Sequence, residues 1–316
     1  MSKTALLFAG QGAQVVGMGK DLAEQFPSAK TWFDRANATL GYDLASICFR
    51  GPETDLTKTE NAQPAIFLAG WAAFQLLKEQ VPALKFDAAA GLSLGEFTAL
   101  AAAGALSFED GLRLVRQRGR FMQEACDATM GSMAAVIGLD EALTREVCAE
   151  AGVVLANLNC PGQLVISGDA NKIARAVELA KAKGARRAIP LAVAGAYHSP
   201  LMAGAQPKLQ AELAKIPFSS PAVPVISNVT AQPCHGKSGQ VAFALELSIC
   251  LAQQITSPVR WEESMRYLLA QGFTRFIELG PGTALSGFMK RIDKTAKMLN
   301  VADAASLEDT VKALTN

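Results

Sequence analysis

The chain has 316 residues, of which half are hydrophobic and 19% are charged, a composition that excludes a wholly disordered protein. This length predicts one large domain with a smaller one inserted or appended. The formal net charge of +1 provides no overall field for nucleic acid or a membrane surface, so an acidic partner would have to meet a local basic patch.

The cysteines and the apolar stretches favour a reduced protein without a membrane span. Six cysteines are scattered without a C-x-x-C pair, which argues against a disulfide framework or a zinc site, and we expect no metal. The chain opens on a strand-like run instead of a secretory signal, and its longest apolar stretch, 88–108, is interrupted by glycines and polar residues. We expect a cytoplasmic protein; the alternative is the plastid stroma, with a transit peptide absent from this chain.

The first segment predicts an α/β fold with a mostly parallel sheet. A strand over 4–9 leads into the glycine-rich loop 10–14, and helices then alternate with short apolar runs such as Ala88–Gly91. The loop resembles the start of a dinucleotide-binding G-x-G-x-x-G motif, but Val15 stands where the third glycine belongs. We therefore expect Gln11 to offer a backbone N–H to an oxyanion instead.

The sequence Gly91-Leu-Ser93-Leu-Gly95 has the strand-turn-helix context of a nucleophile elbow. Glycines on both sides of Ser93 suit a strained, closely packed turn, and the start of a helix favours a developing oxyanion. The backbone N–H of Leu94 would be the second oxyanion donor. The alternative is a tight turn in which Ser93 only caps the helix.

A helix is predicted to begin at the capping box 107–110, with an apolar stripe that includes Leu112, Val115 and Met122. At 100° per residue, three of its arginines share one flank of this stripe, whereas Arg118 falls on the other flank, close to the core. By composition alone, Arg118 would be one more solvated charge.

From residue 131 the pattern changes to strand, helix, two strands, helix and strand, which is the ferredoxin-like βαββαβ order. We expect a small domain over 128–197, inserted into a large, discontinuous α/β-hydrolase-like catalytic domain formed by 1–127 and 198–316. Strand candidates at 223–228 and 276–280 would complete the large domain.

A nucleophilic serine needs a base, and the chain holds two histidines. His235 lies in a turn-rich stretch typical of a solvated loop. His198 lies where the small domain returns to the large one, a place that can face a cleft. The alternative for His198 is a partly buried structural histidine; together with Ser93, the pattern favours an acyl-transfer enzyme.

Several segments, taken in order, resemble the malonyl-CoA:acyl carrier protein transacylase family across nearly the whole chain. They are Gly10-Gln-Gly12, Gly91-Leu-Ser-Leu-Gly-Glu96, Gln117-Arg-Gly119 with Met122, Asn159-Cys-Pro-Gly-Gln163, Gly195-Ala-Tyr-His-Ser199 and Glu278-Leu-Gly-Pro281. The acyltransferase domains of polyketide and animal-type fatty acid synthases are less similar.

The resemblance implies a ping-pong reaction that supplies extender units for fatty acid synthesis. Ser93 would take malonyl from malonyl-CoA and pass it to the phosphopantetheine thiol of acyl carrier protein, with His198 moving the proton in both halves. It also implies a monomer that uses a coenzyme A thioester as substrate and holds no permanent cofactor.

The family match assigns further roles position by position. Arg118 would pair with the malonyl carboxylate, for which a planar guanidinium is well suited. Gln254 would orient the histidine through its backbone carbonyl, although it could be an ordinary helix-end glutamine. Met122 and Asn159 would contact substrate, and the basic positions that would dock the acidic carrier protein are Arg186, Arg187, Lys290 and Arg291.

One position departs from the family pattern. Most members have histidine immediately before the serine, where this chain has Leu92, and this puts acyl selectivity in doubt. Three alternatives stay open: a serine thioesterase or hydrolase of related architecture, an acyltransferase that serves a polyketide pathway, and a non-enzymatic protein that binds coenzyme A or a nucleotide through the first glycine-rich loop.

Overall fold

A computed structural model of the chain describes residues 3–234 and 239–315, with side chains from 242 onward in the second range. His235 lies outside the described residues. The described strands are β1 Lys3–Phe8, β2 Ala88–Gly91, β3 Gly131–Ile137, β4 Val154–Cys160, β5 Gln163–Asp169, β6 Arg187–Pro190, β7 Val225–Ile226, β8 Phe273–Leu279 and β9 Lys297–Val301.

Helices occupy most of the remaining chain. The first seven are α1 Lys20–Gln25, α2 Pro27–Leu40, α3 Leu44–Arg50, α4 Glu53–Leu56, α5 Thr59–Gln80, α6 Gly95–Ala102 and α7 Phe108–Asp127. The others are α8 Glu141–Ala151, α9 Ala170–Ala182, α10 Gln206–Leu213, α11 Gly239–Gln254, α12 Trp261–Ala270, α13 Ala284–Ile292 and α14 Ala304–Thr315, with a 3₁₀ helix at Pro200–Met202.

One sheet contains five parallel strands in the order β7-β2-β1-β8-β9. The central strand β1 pairs with β2 so that Phe8 lies opposite Gly91, and the loops after both strands leave from the same edge. A Cβ at Gly10 would lie 2.4 Å from the carbonyl oxygen of Leu92, so only glycine allows these loops to approach so closely.

A separate sheet contains four antiparallel strands in the order β4-β5-β3-β6. Helices α8 and α9 pack on it around a small apolar core that includes Val136, Ile166 and Val177. The chain order and the strand order are those of the predicted βαββαβ unit, and the reversal between β4 and β5 places Gly162 at φ +64°. The predicted α/β class, with a parallel sheet and this second sheet, is confirmed.

Helices cover both faces of the parallel sheet, as its largely buried strands β1, β2, β7 and β8 require. On one face, α5 and α7 pack beside α6, and the rings of Phe8 and Phe74 meet edge to face with centroids 6.3 Å apart. On the other face, Trp261 and Met289 from α12 and α13 are completely buried. The sheet edge at the ends of β1 and β2 is therefore rigidly supported.

Three predicted strands are longer than the observed ones. The run 132–139 ends as β3 at Ile137, because Gly138 turns the chain with φ +99°. The run 187–193 ends as β6 at Pro190, and the run 223–228 forms only the two-residue β7. Apolar composition predicted these strands, whereas the length of the neighbouring strand limits how far each can pair.

Candidate active site

Ser93 lies on a turn between β2 and α6 that few residue types permit. Its backbone φ is +50°, in the left-handed region. A Cβ at Gly91 would lie 1.9 Å from the carbonyl carbon of Gly95, and a Cβ at Gly95 would lie 2.2 Å from the carbonyl oxygen of Phe8. The two glycines let the turn fold against itself and against β1, which places Ser93 at the start of α6.

His198 reaches this turn from the segment between β6 and the 3₁₀ helix. Its Nε2 lies 2.8 Å from Ser93 Oγ, and its Nδ1 lies 2.8 Å from the backbone carbonyl oxygen of Gln254. Because a carbonyl oxygen can only accept, Nδ1 carries the proton and Nε2 is free to accept the hydroxyl proton. Burial and the charge of Arg118 lower the pKa of His198 to about 4, so the imidazole is neutral at pH 7.

Arg118 lies on the core-facing side of α7 and is only 1% exposed. The other arginines of this helix on the opposite flank are exposed: Arg113, Arg116 and Arg120. Arg118 Nη1 donates to Gln63 Oε1 at 2.7 Å, and Nη2 donates to Gln254 Oε1 at 2.9 Å and to Ser93 Oγ at 3.0 Å. Burial lowers its pKa to about 10, which leaves the guanidinium charged at pH 7.

A buried carboxyl, Glu96, lies one helical turn after Ser93 and is 1% exposed. Its Oε2 accepts from Gln254 Nε2 at 2.6 Å and from the backbone N–H of Asn228 at 3.1 Å. Burial raises the pKa of Glu96 to about 7, and these donors oppose that rise because they favour the ionised form. Asn228 in turn accepts the backbone N–H of Ser93 at 2.6 Å and donates to Gly91 O at 2.8 Å.

A cavity of about 800 Å³ opens beside Ser93. Its walls include Gln11, Met122 and Asn159 together with Leu92 and His198, whereas Arg118 and Gln254 lie behind Ser93 and do not line it. Asn159 is 6% exposed, and its Oδ1 has no hydrogen-bond donor among the described residues. The structure thus brings five of the eight residues predicted for catalysis and substrate binding to the wall of one cleft between the two sheets.

Backbone donors are available at two of the predicted positions. In the described parts of the chain, neither the N–H of Gln11 nor that of Leu94 has an acceptor. Gln11 lies at the cavity wall after β1, and Leu94 begins the turn into α6. A backbone N–H without an acceptor beside the nucleophile is what stabilisation of an oxyanion requires.

The four predicted basic positions differ in their surroundings. Arg186, Arg187 and Lys290 are exposed, and no acidic side chain in 3–234 or 239–315 pairs with them. The Arg291 guanidinium instead donates to Gln163 Oε1 at 2.9 Å and to Pro161 O at 2.6 Å. Arg291 therefore joins α13 to the β4–β5 turn.

Comparisons with known proteins agree with this geometry. The profile of the acyl transferase domain family matches residues 5–313. The malonyl CoA-acyl carrier protein transacylase of Bacillus subtilis is 48% identical over 319 residues, which cover 99% of this chain and 98% of the relative. The chain belongs to the malonyl-CoA:acyl carrier protein transacylase family.

Solved structures of transacylases superpose on the whole chain. The malonyl CoA-acyl carrier protein transacylase of Coxiella burnetii has a TM-score of 0.94 at 38% identity and covers 100% of this chain, with 98% of its own length matched. A malonyl-transacylase in complex with a type II polyketide synthase acyl-carrier protein has a TM-score of 0.93 at 38% identity, with 99% and 100% covered. The resemblance inferred from the motifs is confirmed.

Sequence reasoning missed three polar residues that hold the transacylase site together: Gln63, Glu96 and Asn228. Gln63 lies completely buried in the apolar run of α5, and a single amide inside such a run is a signal for a hydrogen-bonded role. Asn228 lies just beyond β7, at the carboxyl edge of the sheet, where side chains meet in α/β folds. Glu96 stood within the elbow motif itself.

Two features are absent from the described residues of this transacylase. No helix there is long and apolar enough to cross a membrane. No group of three or more His, Cys, Asp or Glu side chains in the described ranges is arranged to hold a metal ion.

Proposed function

We propose that this chain transfers the malonyl group from malonyl-CoA to the phosphopantetheine thiol of acyl carrier protein, through a malonyl ester on Ser93. One observation carries the choice of acyl group: the buried Arg118 guanidinium lies 3.0 Å from Ser93 Oγ, which itself lies 2.8 Å from His198 Nε2. A desolvated cation beside a nucleophile and its base favours an acyl group that ends in a carboxylate.

The first half-reaction forms the ester. Ser93 Oγ attacks the thioester carbonyl of malonyl-CoA while His198 Nε2 takes the hydroxyl proton. The N–H groups of Gln11 and Leu94 stabilise the oxyanion of the tetrahedral intermediate. When the carbon–sulfur bond breaks, His198 returns the proton to the departing sulfur, and free coenzyme A leaves malonyl-Ser93 behind.

The second half-reaction reverses these roles. His198 takes the proton of the carrier protein's thiol, and the sulfur attacks the ester carbonyl of malonyl-Ser93. The same N–H groups receive the oxyanion. The carbon–oxygen bond then breaks, His198 protonates Ser93 Oγ, and the malonyl thioester of the carrier protein is released.

The partner of His198 Nδ1 argues against the hydrolase alternative. Serine hydrolases place a carboxylate there, which stabilises the imidazolium that forms during attack. In this chain the partner is the neutral carbonyl of Gln254, which fixes the tautomer without a full charge. The ester on Ser93 is then attacked by a thiol, which is far more acidic than water and so needs a weaker base than hydrolysis does, and the geometry favours transfer.

The carrier protein is proposed to dock on basic side chains near the cavity mouth. Gly138 N donates to Gly162 O at 2.9 Å, so these two glycines lie side by side. A Cβ at Gly138 would lie 2.9 Å from Arg186 Cβ, and a Cβ at Gly162 would lie 3.5 Å from Arg291 Nη2. The contact between the glycines therefore lies between Arg186 and Arg291. Arg186, just before β6, and Arg291, on α13, therefore lie at one edge of the molecule. Such an edge suits an acidic partner and raises its rate of association.

The cavity also supports the proposed division into domains. Gln11 and Ser93 face it from the parallel sheet, and Asn159 and Val165 face it from the antiparallel sheet. We place the small domain at 128–197 and the catalytic domain at 1–127 and 198–316, since α7 ends at Asp127 and β3 begins soon after. The substrate would then bind between the domains.

The coenzyme A thioester enters as substrate, and no permanently bound cofactor is proposed. Fatty acid synthesis in the cytoplasm is the proposed setting, in keeping with the bacterial relative and the six free thiols. Supply of malonyl to a polyketide carrier protein is the second candidate, favoured by the structural neighbour solved with a type II polyketide synthase carrier protein.

The test is to mix the purified protein with malonyl-CoA and to measure its intact mass before and after carrier protein is added. The expected result is a malonyl adduct that disappears as malonyl appears on the carrier protein. The adduct should be absent in Ser93→Ala and present in Ser220→Ala, which changes an exposed serine outside the site. Release of free malonate without transfer would favour a hydrolase instead.

A further inference from the structure

Glu96 is a buried carboxylate that does not line the cavity, yet it lies at the centre of the hydrogen bonds around Ser93. It contacts two residues of the site, Gln254 and Asn228, from the side opposite the cavity. The mechanism proposed above uses no property of this group. A buried carboxylate is costly unless it is paired or hydrogen-bonded, so its placement calls for a function.

Two of the partners of Glu96, Asn228 and Gln254, together hold both backbone groups of Ser93. Asn228 accepts the Ser93 N–H at 2.6 Å, and Gln254 Nε2 donates to the Ser93 carbonyl at 2.9 Å. Gln254 also accepts from His198 through its backbone. A left-handed serine persists only where its surroundings hold it, and these contacts supply that support.

The charge of Arg118 is balanced by Glu96 through an intervening amide, that of Gln254. No carboxylate in the described chain lies in direct contact with its guanidinium; instead Nη2 donates to Gln254 Oε1, and Gln254 Nε2 donates to Glu96 Oε2. The amide of Gln254 therefore bridges a buried cation and a buried anion. This leaves the guanidinium with spare capacity toward Ser93, which a direct ion pair with Glu96 would consume.

The bridge depends on an acceptor at position 96. Above its pKa of about 7, the Glu96 carboxylate accepts hydrogen bonds and donates none, so it admits only the orientation in which Gln254 Nε2 points toward it. The amide oxygen of Gln254 then faces Arg118. The opposite orientation would set the Gln254 NH₂ group against the Arg118 N–H donors.

We propose that Glu96 is a positioning residue that fixes the side-chain amide of Gln254 and thereby keeps Arg118 directed at the acyl group on Ser93. This rests on the proposed malonyl transfer. It makes Glu96 a determinant of selectivity for a carboxylate-bearing acyl group, although it touches neither substrate nor the reacting atoms.

The test compares acylation of Ser93 by malonyl-CoA and by acetyl-CoA at pH 8, measured by intact mass in single turnovers. Glu96→Gln keeps the size of the side chain but can donate as well as accept, so Gln254 is no longer held in one orientation. The ratio of malonyl to acetyl acylation rates should fall by roughly tenfold or more. Glu278→Gln is the matched control, since this buried carboxylate accepts instead from Leu285 and Ser286, and the ratio should stay as in the parent.

A second variant keeps the test decisive if Glu96→Gln folds poorly. Gln254→Met removes the bridging amide but keeps the carbonyl that holds His198, so the ratio should fall similarly. Combined with Glu96→Gln, it should cause no further fall, because both changes break one chain of contacts. An unchanged ratio in Glu96→Gln, or additive falls, would overturn the proposal. Absence of any malonyl adduct on the parent would instead refute the proposed function.

Discussion

Replacement of Arg118 offers the sharpest test of how the acyl group is selected. Arg118→Ala removes a buried guanidinium that donates to Gln63, to Gln254 and to Ser93. Loss of one partner from a desolvated charge pair costs about 2–5 kcal/mol. At 1.4 kcal/mol per factor of ten, kcat/KM for malonyl-CoA should fall by roughly 30- to 3000-fold.

The same change should affect an uncharged acyl group differently. Acetyl has no carboxylate to pair with Arg118, so its transfer should stay within about tenfold of the parent or increase. The acceptors on Gln63 and Gln254 lose a donor, which should lower the free energy of unfolding by roughly 1–3 kcal/mol. Arg118→Lys keeps the charge but not the planar guanidinium, so its kcat/KM for malonyl-CoA should lie between the values of the parent and of Arg118→Ala.

Single-turnover acylation with malonyl-CoA and acetyl-CoA, followed by intact mass, measures both effects. Denaturant unfolding measures the stability of each variant separately. Arg113→Ala is the control, because Arg113 lies on the same helix but is exposed and pairs only with Asp110. Equal losses for malonyl and acetyl would refute the reasoning and would make Arg118 part of the scaffold alone.

Four further predictions concern the pH dependence, the serine turn and the basic edge. The acidic limb of kcat/KM for acylation by acetyl-CoA, which does not depend on Arg118, should lie near pH 4, because the His198 imidazole stays neutral above its lowered pKa of about 4. The same shift should lower stability by up to roughly 3 kcal/mol as pH falls from 6.5 to 4, since the unfolded imidazole takes up a proton first. Gly91→Ala should fail to fold or unfold far more easily, whereas Gly204→Ala, which has open space around it, should not. Arg186→Glu with Lys290→Glu should raise KM for the carrier protein and leave acylation by malonyl-CoA unchanged.

A specific result would contradict each of these predictions. An acidic limb at pH 6.5 with acetyl-CoA would mean that His198 is not held neutral, and a pH-stability profile unaltered by His198→Gln would mean the same. Equal melting temperatures for the two glycine variants would show that the elbow tolerates a side chain. If KM for the carrier protein is the same in the charge-reversal variant and does not change with added salt, the carrier protein docks on another surface.

Local patterns predicted the parts of the site that depend on local geometry. The glycines around Ser93 predict a strained turn, and Ser93 has a positive φ in the structure. Helical periodicity placed Arg118 apart from its neighbouring arginines, and Arg118 is buried. His198 could be assigned as the base because the chain has only two histidines and the other, His235, lies in a turn-rich stretch. For the serine turn and for Arg118, the relevant information lies within a few residues of the group concerned, whereas the choice of His198 used the composition of the whole chain.

The supporting residues could not be predicted in the same way. Asn228 and Glu96 meet because β7 pairs beside β2, and the chain separates them by more than a hundred residues. The side chain of Gln254 gains its bridge only when α11 ends against α6. Strand lengths were overestimated for a related reason: pairing stops where the partner strand stops, which composition does not reveal.

The position of β1 at the centre of the parallel sheet has a consequence for how the protein is made. Leu6 pairs with Ala89 on one side and with Ile277 on the other, so the second partner is synthesised long after the first. Until β8 leaves the ribosome, one edge of β1 has no strand to pair with and is open to aggregation. The loop of Gln11 and the turn of Ser93 both follow strands of this sheet, so the active site can form only late in synthesis, after β8 has paired with β1. Contacts so distant in sequence also make folding slow.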